Sequence, residues 1–142
     1  METVSIVIPT LNRQKSLQRA LASVRAQTDL AGATIEIIVV DNSRDASARE
    51  TVAAFGAHGW PVHYLSEPAP GVATARNAGV RAAQGRWIAF LDDDEEARPD
   101  WISEMLRTLR ATGAQAVFGP VEARADDAGE IKLFFELNGQ PR

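Results

Sequence analysis

Five consecutive acidic residues, Asp92 to Glu96, directly follow the apolar run Trp87 to Leu91. Blocks of like charge are usually solvated at the protein surface, which is one interpretation of this stretch. The alternative is a divalent cation site, because carboxylates this close repel one another unless a cation neutralises them. Oxygen ligands without a neighbouring histidine or cysteine favour Mg²⁺ or Mn²⁺ over zinc.

The apolar run before the acidic residues is one of several that have the β-branched and aromatic composition of buried parallel strands. These runs are 4–8, 35–40, 62–65, 87–91 and 115–119. Helical periodicity alternates with them and predicts helices over 14–27, 46–59, 72–85 and 99–113. This alternation predicts a doubly wound α/β domain, with a mostly parallel sheet and helices on both faces.

Ligands of such sheets bind at the carboxyl ends of the strands. Polar and charged side chains follow the first four predicted strands, and guanidinium groups gathered with carboxylates suit a phosphate accompanied by a cation. Each group also has a local alternative: a turn after the first strand, a cap for the second helix, or a solvated face of the third helix. The residues are Thr10, Asn12, Arg13, Asp41, Asn42, Arg76, Asn77 and the acidic run.

The composition is that of an ordinary globular domain. The chain has 142 residues, of which 45% are hydrophobic and 24% charged. A formal net charge of -4 gives no indication of nucleic-acid binding. The absence of cysteine excludes disulfides and thiolate metal sites. No run approaches the roughly 18 apolar residues of a membrane span, and the glycine-rich dinucleotide and P-loop motifs are absent.

Three stretches together resemble the family 2 glycosyltransferases, the inverting group with a GT-A fold. They are "VSIVIPTLNR", "IEIIVVDNSRD" and "GVATARNAGVRAAQGRWIAFLDDDEEARPDWI", and the resemblance covers residues 3 to 120. It implies a Rossmann-like nucleotide-sugar-binding domain over 1–120, which is the N-terminal part of the full fold. Residues 121–142 would then form a C-terminal hairpin or extension.

The resemblance also implies which side chains hold the ligand. The base and ribose would be held by Thr10, Asn12, Arg13 and Asp41, and Arg76 would contribute to the same pocket. The acidic triplet matches the D-x-D motif. Asp94 would be the principal ligand of Mg²⁺ or Mn²⁺, with Asp92 and Asp93 contacting the ribose, the metal or its waters. Glu95 is a weaker candidate for the metal, and Glu95 and Glu96 are both expected mostly in the exit loop, with solvated charges.

The implied activity is transfer of a sugar from a UDP- or GDP-linked donor to an acceptor hydroxyl, with inversion. The acceptor would be a glycan or a lipid-linked sugar, as in polysaccharide or glycoconjugate synthesis. We expect a cytoplasmic location, with peripheral attachment to the inner face of the membrane as an option.

The sequence departs from the family pattern at its C-terminal end. Family members usually continue well beyond the D-x-D motif, and that second half carries the acceptor site and the general base. None of the carboxylates in 121–142 is predicted to be this base. A nucleotide-sugar-binding fragment without turnover is therefore the alternative function. A hypothesis for the apolar segment 131–137 is that it contacts another copy or a further domain.

Overall fold

The computed structural model describes residues 2–30, 32–56 and 59–119. Contacts divide the chain into two compact units, Met1–Asp100 and a second that begins at Trp101. Strands and helices alternate along the chain, in the order β1 Thr3–Thr10, α1 Gln14–Arg25, β2 Thr34–Asp41, α2 Arg49–Phe55, β3 Val62–Ser66, α3 Val72–Ala82, β4 Trp87–Phe90 and α4 Trp101–Thr112.

The four strands form one parallel sheet in the order β3-β2-β1-β4. Right-handed crossovers in this order place α1 and α2 on one face of the sheet and α3 on the other. The direction of strand order therefore changes between β1 and β4, which is the switch point where open α/β sheets bind ligands. The predicted parallel α/β architecture is confirmed.

The two central strands are buried on both faces. On the α3 face, Val7 and Val40 pack with Ala75 and Ala78 of the helix. Gly79 allows this close approach, because a Cβ at that position would lie 2.4 Å from Cγ1 of Val7. The edge strands differ from the sequence prediction of full burial. Exposed apolar side chains on β4 are Ile88 and Phe90.

Several predicted elements are shorter than their apolar patterns. The second helix was predicted over 46–59 but begins at Arg49, because Ala46 has a left-handed φ of 55° that helical residues do not adopt. The third helix ends at Ala82, since Ala83 is already extended. The prediction of a fifth strand over 115–119 is wrong. The backbone of 115–119 does not form a strand, and Phe118 is exposed.

The fourth helix agrees more closely with its sequence pattern. The buried side chains of α4 include Ile102, Leu106 and Leu109. Gly113 ends the helix as predicted, with a left-handed φ of 67° and an N–H bonded to the Leu109 carbonyl. The hairpin or extension expected over 121–142 lies outside the described residues. So does the segment 131–137, which was expected to contact another copy or a further domain. No helix in the described part of the chain has both the length and the apolar character of a membrane span.

A buried glutamate organises the amino edge of the sheet. Glu36 accepts hydrogen bonds from the Ser5 hydroxyl at 2.5 Å and from the Gln84 N–H at 2.7 Å, and Nε2 of His63 lies 3.5 Å away. The Ser5 hydroxyl in turn accepts the Gly85 N–H at 2.8 Å. These contacts join β1, β2 and β3 to the connection that leads into β4, the strand before the acidic run.

This network predicts an acid-sensitive contribution to stability. Burial alone would raise the pKa of Glu36, but the hydrogen bonds and the nearby His63 outweigh it and lower the pKa below the ordinary 4.5. The contribution is therefore present above the unfolded value and lost as pH falls through the folded one. In urea denaturation, we expect the deficit of Glu36→Gln in unfolding free energy to be largest at neutral pH and to shrink in acid.

The matched control is Glu50→Gln, which makes the same chemical change on an exposed position of α2. Its deficit is expected to be small at every pH. A Glu36→Gln deficit that stays constant from neutral pH into the acid range would contradict this explanation.

Candidate functional site

The acidic run begins at the switch point of the sheet and is fastened there to β1. Thr10, the last residue of β1, donates its hydroxyl to Oδ2 of Asp93 at 2.9 Å. Both residues are buried, with Thr10 4% and Asp93 7% exposed. Burial raises the pKa of Asp93, although the Thr10 hydroxyl and the Arg13 charge oppose the shift. This carboxylate is therefore built into the edge of the sheet and is not a solvated surface charge.

Two arginines flank the acidic residues. Nη1 of Arg13 lies 3.2 Å from Asp94 and 3.5 Å from Asp93. Nη2 of Arg76, on α3, lies 2.9 Å from Asp92. The structure thus gathers six of the predicted site residues into one cluster, the flanked triplet: Thr10, Arg13, Arg76, Asp92, Asp93 and Asp94.

Glu95 has a larger part in this turn than the sequence prediction gave it. Its carboxylate accepts the Asp92 N–H at 2.8 Å, while its own N–H donates to the Asp92 carbonyl at 3.0 Å. Burial and the neighbouring Asp92 and Asp94 charges raise its pKa. The D-x-x-E spacing resembles that of a capping box, of which this turn has one half, the bond from the Asp92 N–H to the Glu95 side chain. Glu96 is exposed, as expected for the exit loop.

A cleft of about 430 Å³ lies at the carboxyl ends of β1, β2 and β3, and its lining residues Leu11 and Asn12 lie between Thr10 and Arg13 of the flanked triplet along the chain. Its apolar lining comes from Leu11, Pro68 and Pro70, and Asn12 lies on its wall in a left-handed turn with a φ of 52°. The Asn42 amide donates to the Glu67 carbonyl at 2.6 Å and to the Ala69 carbonyl at 2.8 Å. These bonds hold two of the cleft walls together.

Asp41 ends β2, but it is 0% exposed. Its carboxylate accepts hydrogen bonds from Ser43, Ala48 and Tyr64. Burial would raise the pKa of Asp41, but these hydrogen bonds outweigh it and lower the pKa. The helix-capping alternative is thus partly realised, because Ala48 is the N-cap residue of α2. Sequence reasoning missed Tyr64, since a tyrosine in a half-buried strand carries no signal of its partner.

The ligand set suits a hard divalent cation only if the substrate completes it. The flanked triplet offers the carboxylate oxygens of Asp92, Asp93 and Asp94 as ligands. Mg²⁺ and Mn²⁺ prefer oxygen ligands of this kind. Within the described residues, no group of three acidic or histidine side chains is placed to hold an ion by itself. Such cations often take one or two protein carboxylates and complete their shell with water and phosphate oxygens. The residues present fit that second arrangement.

The sheet, its switch point and the flanked triplet define a Rossmann-like domain, and solved structures give its fold class. S. aureus TarS 1-349 in complex with UDP-GlcNAc superposes with a TM-score of 0.65 at 19% identity, covering 80% of this chain and 32% of that chain. The mannosyltransferase PcManGT from Pyrobaculum calidifontis, in complex with GDP-Man and Mn²⁺, gives 0.66 at 21% identity, covering 75% and 32%. The fold is GT-A.

Sequence comparison places the chain within a family. The model of glycosyl transferase family 2 matches residues 5–139, so this chain belongs to glycosyl transferase family 2. The succinoglycan biosynthesis protein ExoO of Rhizobium meliloti (strain 1021) is 36% identical over 135 residues, which cover 94% of this chain. The chain spans 37% of the length of ExoO.

Proposed function

We propose that this chain carries the nucleotide-sugar-binding part of an inverting, metal-assisted glycosyltransferase. The observation that carries the proposal is the position of the flanked triplet at the switch point, on the same edge of the sheet as the cleft. Membership of family 2 supports it. Similarity to a succinoglycan biosynthesis protein favours polysaccharide or glycoconjugate synthesis as the setting.

The diphosphate of the donor would lie against Arg13 and Arg76, because guanidinium N–H groups bind phosphate oxygens in a fixed fork. Each guanidinium group pairs with a carboxylate of the triplet in the structure. A phosphate would replace that carboxylate as the partner. Asp94 would be the principal metal ligand and Asp92 the second.

Asp93 would act from a fixed position on the ribose or on waters of the metal, because Thr10 already holds its carboxylate. The nucleoside would occupy the cleft beside Asn12, where the proline and leucine side chains offer an apolar surface to a planar base. Mg²⁺ or Mn²⁺, when bound, supplies positive charge that stabilises the nucleoside-diphosphate leaving group.

A second candidate is a nucleotide-sugar-binding unit that does not turn over. Inversion needs a base that faces the acceptor hydroxyl, and we place that base outside the described residues. The chain spans 37% of the length of ExoO, and in this candidate the acceptor site too lies outside the residues that the structure describes. The acceptor itself would be a glycan or a lipid-linked sugar, reached from the cytoplasmic face of a membrane.

Calorimetry followed by a turnover assay distinguishes the two candidates. UDP and GDP are titrated with and without Mn²⁺, and sugar release from UDP-GlcNAc and GDP-Man is then measured. We expect one of the two nucleotides to bind more tightly with Mn²⁺. Binding accompanied by sugar release supports the enzyme, whereas binding without release supports the non-turnover unit. Failure of both nucleotides to bind would contradict both candidates.

The extension over 121–142 and the proposed contact of 131–137 with another copy lie outside the described residues and have their own test. Light scattering during size-exclusion chromatography gives the mass in solution. A dimer that becomes monomeric when Phe134 is replaced by a charged residue would support the contact. A monomer at all concentrations would contradict it.

A further inference from the structure

The Asp41 carboxylate has no remaining capacity for a ligand. Oδ1 accepts from the Ser43 N–H at 3.0 Å and from the Ser43 hydroxyl at 2.7 Å. Oδ2 accepts from the Ala48 N–H at 3.0 Å and from the Tyr64 hydroxyl at 2.6 Å. A carboxylate offers about four lone-pair positions, and all of them are occupied here. With no exposed surface either, Asp41 does not meet a nucleotide in this arrangement.

These hydrogen bonds fasten both ends of one loop, the 43–48 loop. Ser43 opens it and Ala48 closes it, and the Ser43 hydroxyl also accepts the Ser47 N–H at 3.0 Å. Within the loop, Ala46 has a left-handed φ of 55°, a conformation that other contacts must hold in place for a residue with a Cβ. The buried carboxylate supplies such contacts.

The 43–48 loop carries two exposed charged residues, Arg44 and Asp45, that line the cleft. Their position depends on the backbone of the loop, which depends in turn on the Asp41 carboxylate. Tyr64 reaches this carboxylate from β3, the neighbouring strand, and completes its set of partners. Burial raises the pKa of Tyr64 to about 12, with the adjacent Asp41 adding to the effect. The hydroxyl therefore remains a donor at neutral pH.

We propose that Asp41 and Tyr64 are positioning residues, which hold Arg44 and Asp45 along the cleft so that the 43–48 loop, and not Asp41, contacts the nucleoside. This inference rests on the proposed nucleotide-sugar function. The diphosphate would lie on the other side of the site, against Arg13 and Arg76, so Tyr64 affects only the nucleoside end.

The test is a double-mutant cycle on nucleotide affinity, with Tyr64→Phe as the first change. This substitution keeps the ring, over which the Arg49 guanidinium lies at 5.0 Å, and removes the hydroxyl, which donates to Asp41 and also interacts with Arg49. Calorimetry with the tighter-binding of UDP and GDP is expected to show about a 10-fold loss for Tyr64→Phe. Affinity for inorganic pyrophosphate with Mn²⁺ is expected to be unchanged, because pyrophosphate has no nucleoside.

The second change is Asp45→Ala. It is expected to weaken nucleotide binding in the wild-type background and to have a much smaller effect in Tyr64→Phe, where the loop is no longer held. Thr34→Val is the matched control, since it removes a strand hydroxyl at the opposite end of the sheet, where Thr34 meets Thr3 at 2.9 Å. Its nucleotide affinity should equal that of the wild type.

The outcomes separate this inference from the proposed function. If the wild type binds neither UDP nor GDP, both the proposed function and this inference are contradicted. If the wild type binds but the two changes are additive, or pyrophosphate affinity falls in parallel with nucleotide affinity, only the inference is overturned. Hydrogen exchange at the Ser43 and Ala48 amides provides a check without ligand, and we expect faster exchange in Tyr64→Phe.

Discussion

Asp94→Asn is expected to abolish the enhancement of nucleotide binding by Mn²⁺. Nucleotide affinity in Mn²⁺ should fall at least about 100-fold, because mutation of residues that only hydrogen-bond to a metal ligand already lowers metal affinity or activity about 10- to 100-fold. The substitution keeps the size of the side chain and removes its charge. A neutral amide oxygen is a poorer ligand for a hard cation than a carboxylate. Calorimetry with UDP and GDP, in Mn²⁺ and in EDTA, measures the effect.

The same variant should behave differently without metal. Nη1 of Arg13 lies 3.2 Å from Asp94 and 3.5 Å from Asp93, so Asp94→Asn removes one of the two carboxylates that compete with a phosphate for this guanidinium group. In EDTA we expect nucleotide affinity equal to or slightly above that of the wild type. A loss of affinity in Mn²⁺ without a loss in EDTA distinguishes removal of a metal ligand from a general disturbance of the site.

Glu96→Gln is the matched control, because it makes the equivalent carboxylate-to-amide change at an exposed position two residues further along. It should retain the Mn²⁺ enhancement. Circular dichroism melting checks that both variants remain folded. An Asp94→Asn protein that still binds nucleotide more tightly in Mn²⁺ would show that Asp94 is not the principal metal ligand.

Gly85→Ala is expected to have the largest effect on stability, lowering the free energy of unfolding by about 3 kcal/mol. A Cβ on Gly85 would lie 2.7 Å from the Thr3 carbonyl oxygen and 2.8 Å from the Ser5 nitrogen. Both atoms belong to the backbone of β1, which cannot move without disturbing its pairing with β2. The displaced Gly85 N–H would also lose its bond to the Ser5 hydroxyl. Urea denaturation gives the free energy.

Gly32→Ala separates this steric effect from the conformational preference of glycine. Gly32 has a left-handed φ of 83°, and nothing lies within 4 Å of the Cβ that alanine would add. Only the backbone preference opposes this change, at about 1 kcal/mol. If Gly85→Ala proves no more destabilising than Gly32→Ala, then the connection before β4 accommodates a side chain and the predicted close approach is wrong.

The parallel sheet and the position of the site could be predicted from the sequence because both depend on short-range patterns. Apolar β-branched runs mark the strands, and parallel topology brings their carboxyl ends to one edge. That topology places Thr10, Arg13 and Asp93 at the same edge, whereas their contacts with one another also need β4 to lie next to β1. Helix ends were less predictable. The start of α2, for example, depends on the hydrogen bond that the Ala48 N–H donates to the Asp41 carboxylate, seven residues earlier.

Partner choice inside the site could not be predicted in the same way. Sequence reasoning treated Asp41 as either a ligand contact or a cap, and its burial depends on Tyr64, which lies on another strand. Likewise, the contacts of Glu36 with Ser5 and Gln84 require three distant segments to be in place. Such bonds depend on tertiary distances that no local pattern encodes.

The bond between Thr10 and Asp93 joins residues 83 positions apart. β1 pairs with β2 on one side and with β4 on the other. Its second edge is therefore covered only when β4 is in place. Closing so long a loop costs chain entropy before any contact offsets it, so we expect this pairing and the acidic turn to form late in folding. A ligand that recognises the finished turn therefore selects fully folded chains and stabilises the whole sheet by mass action.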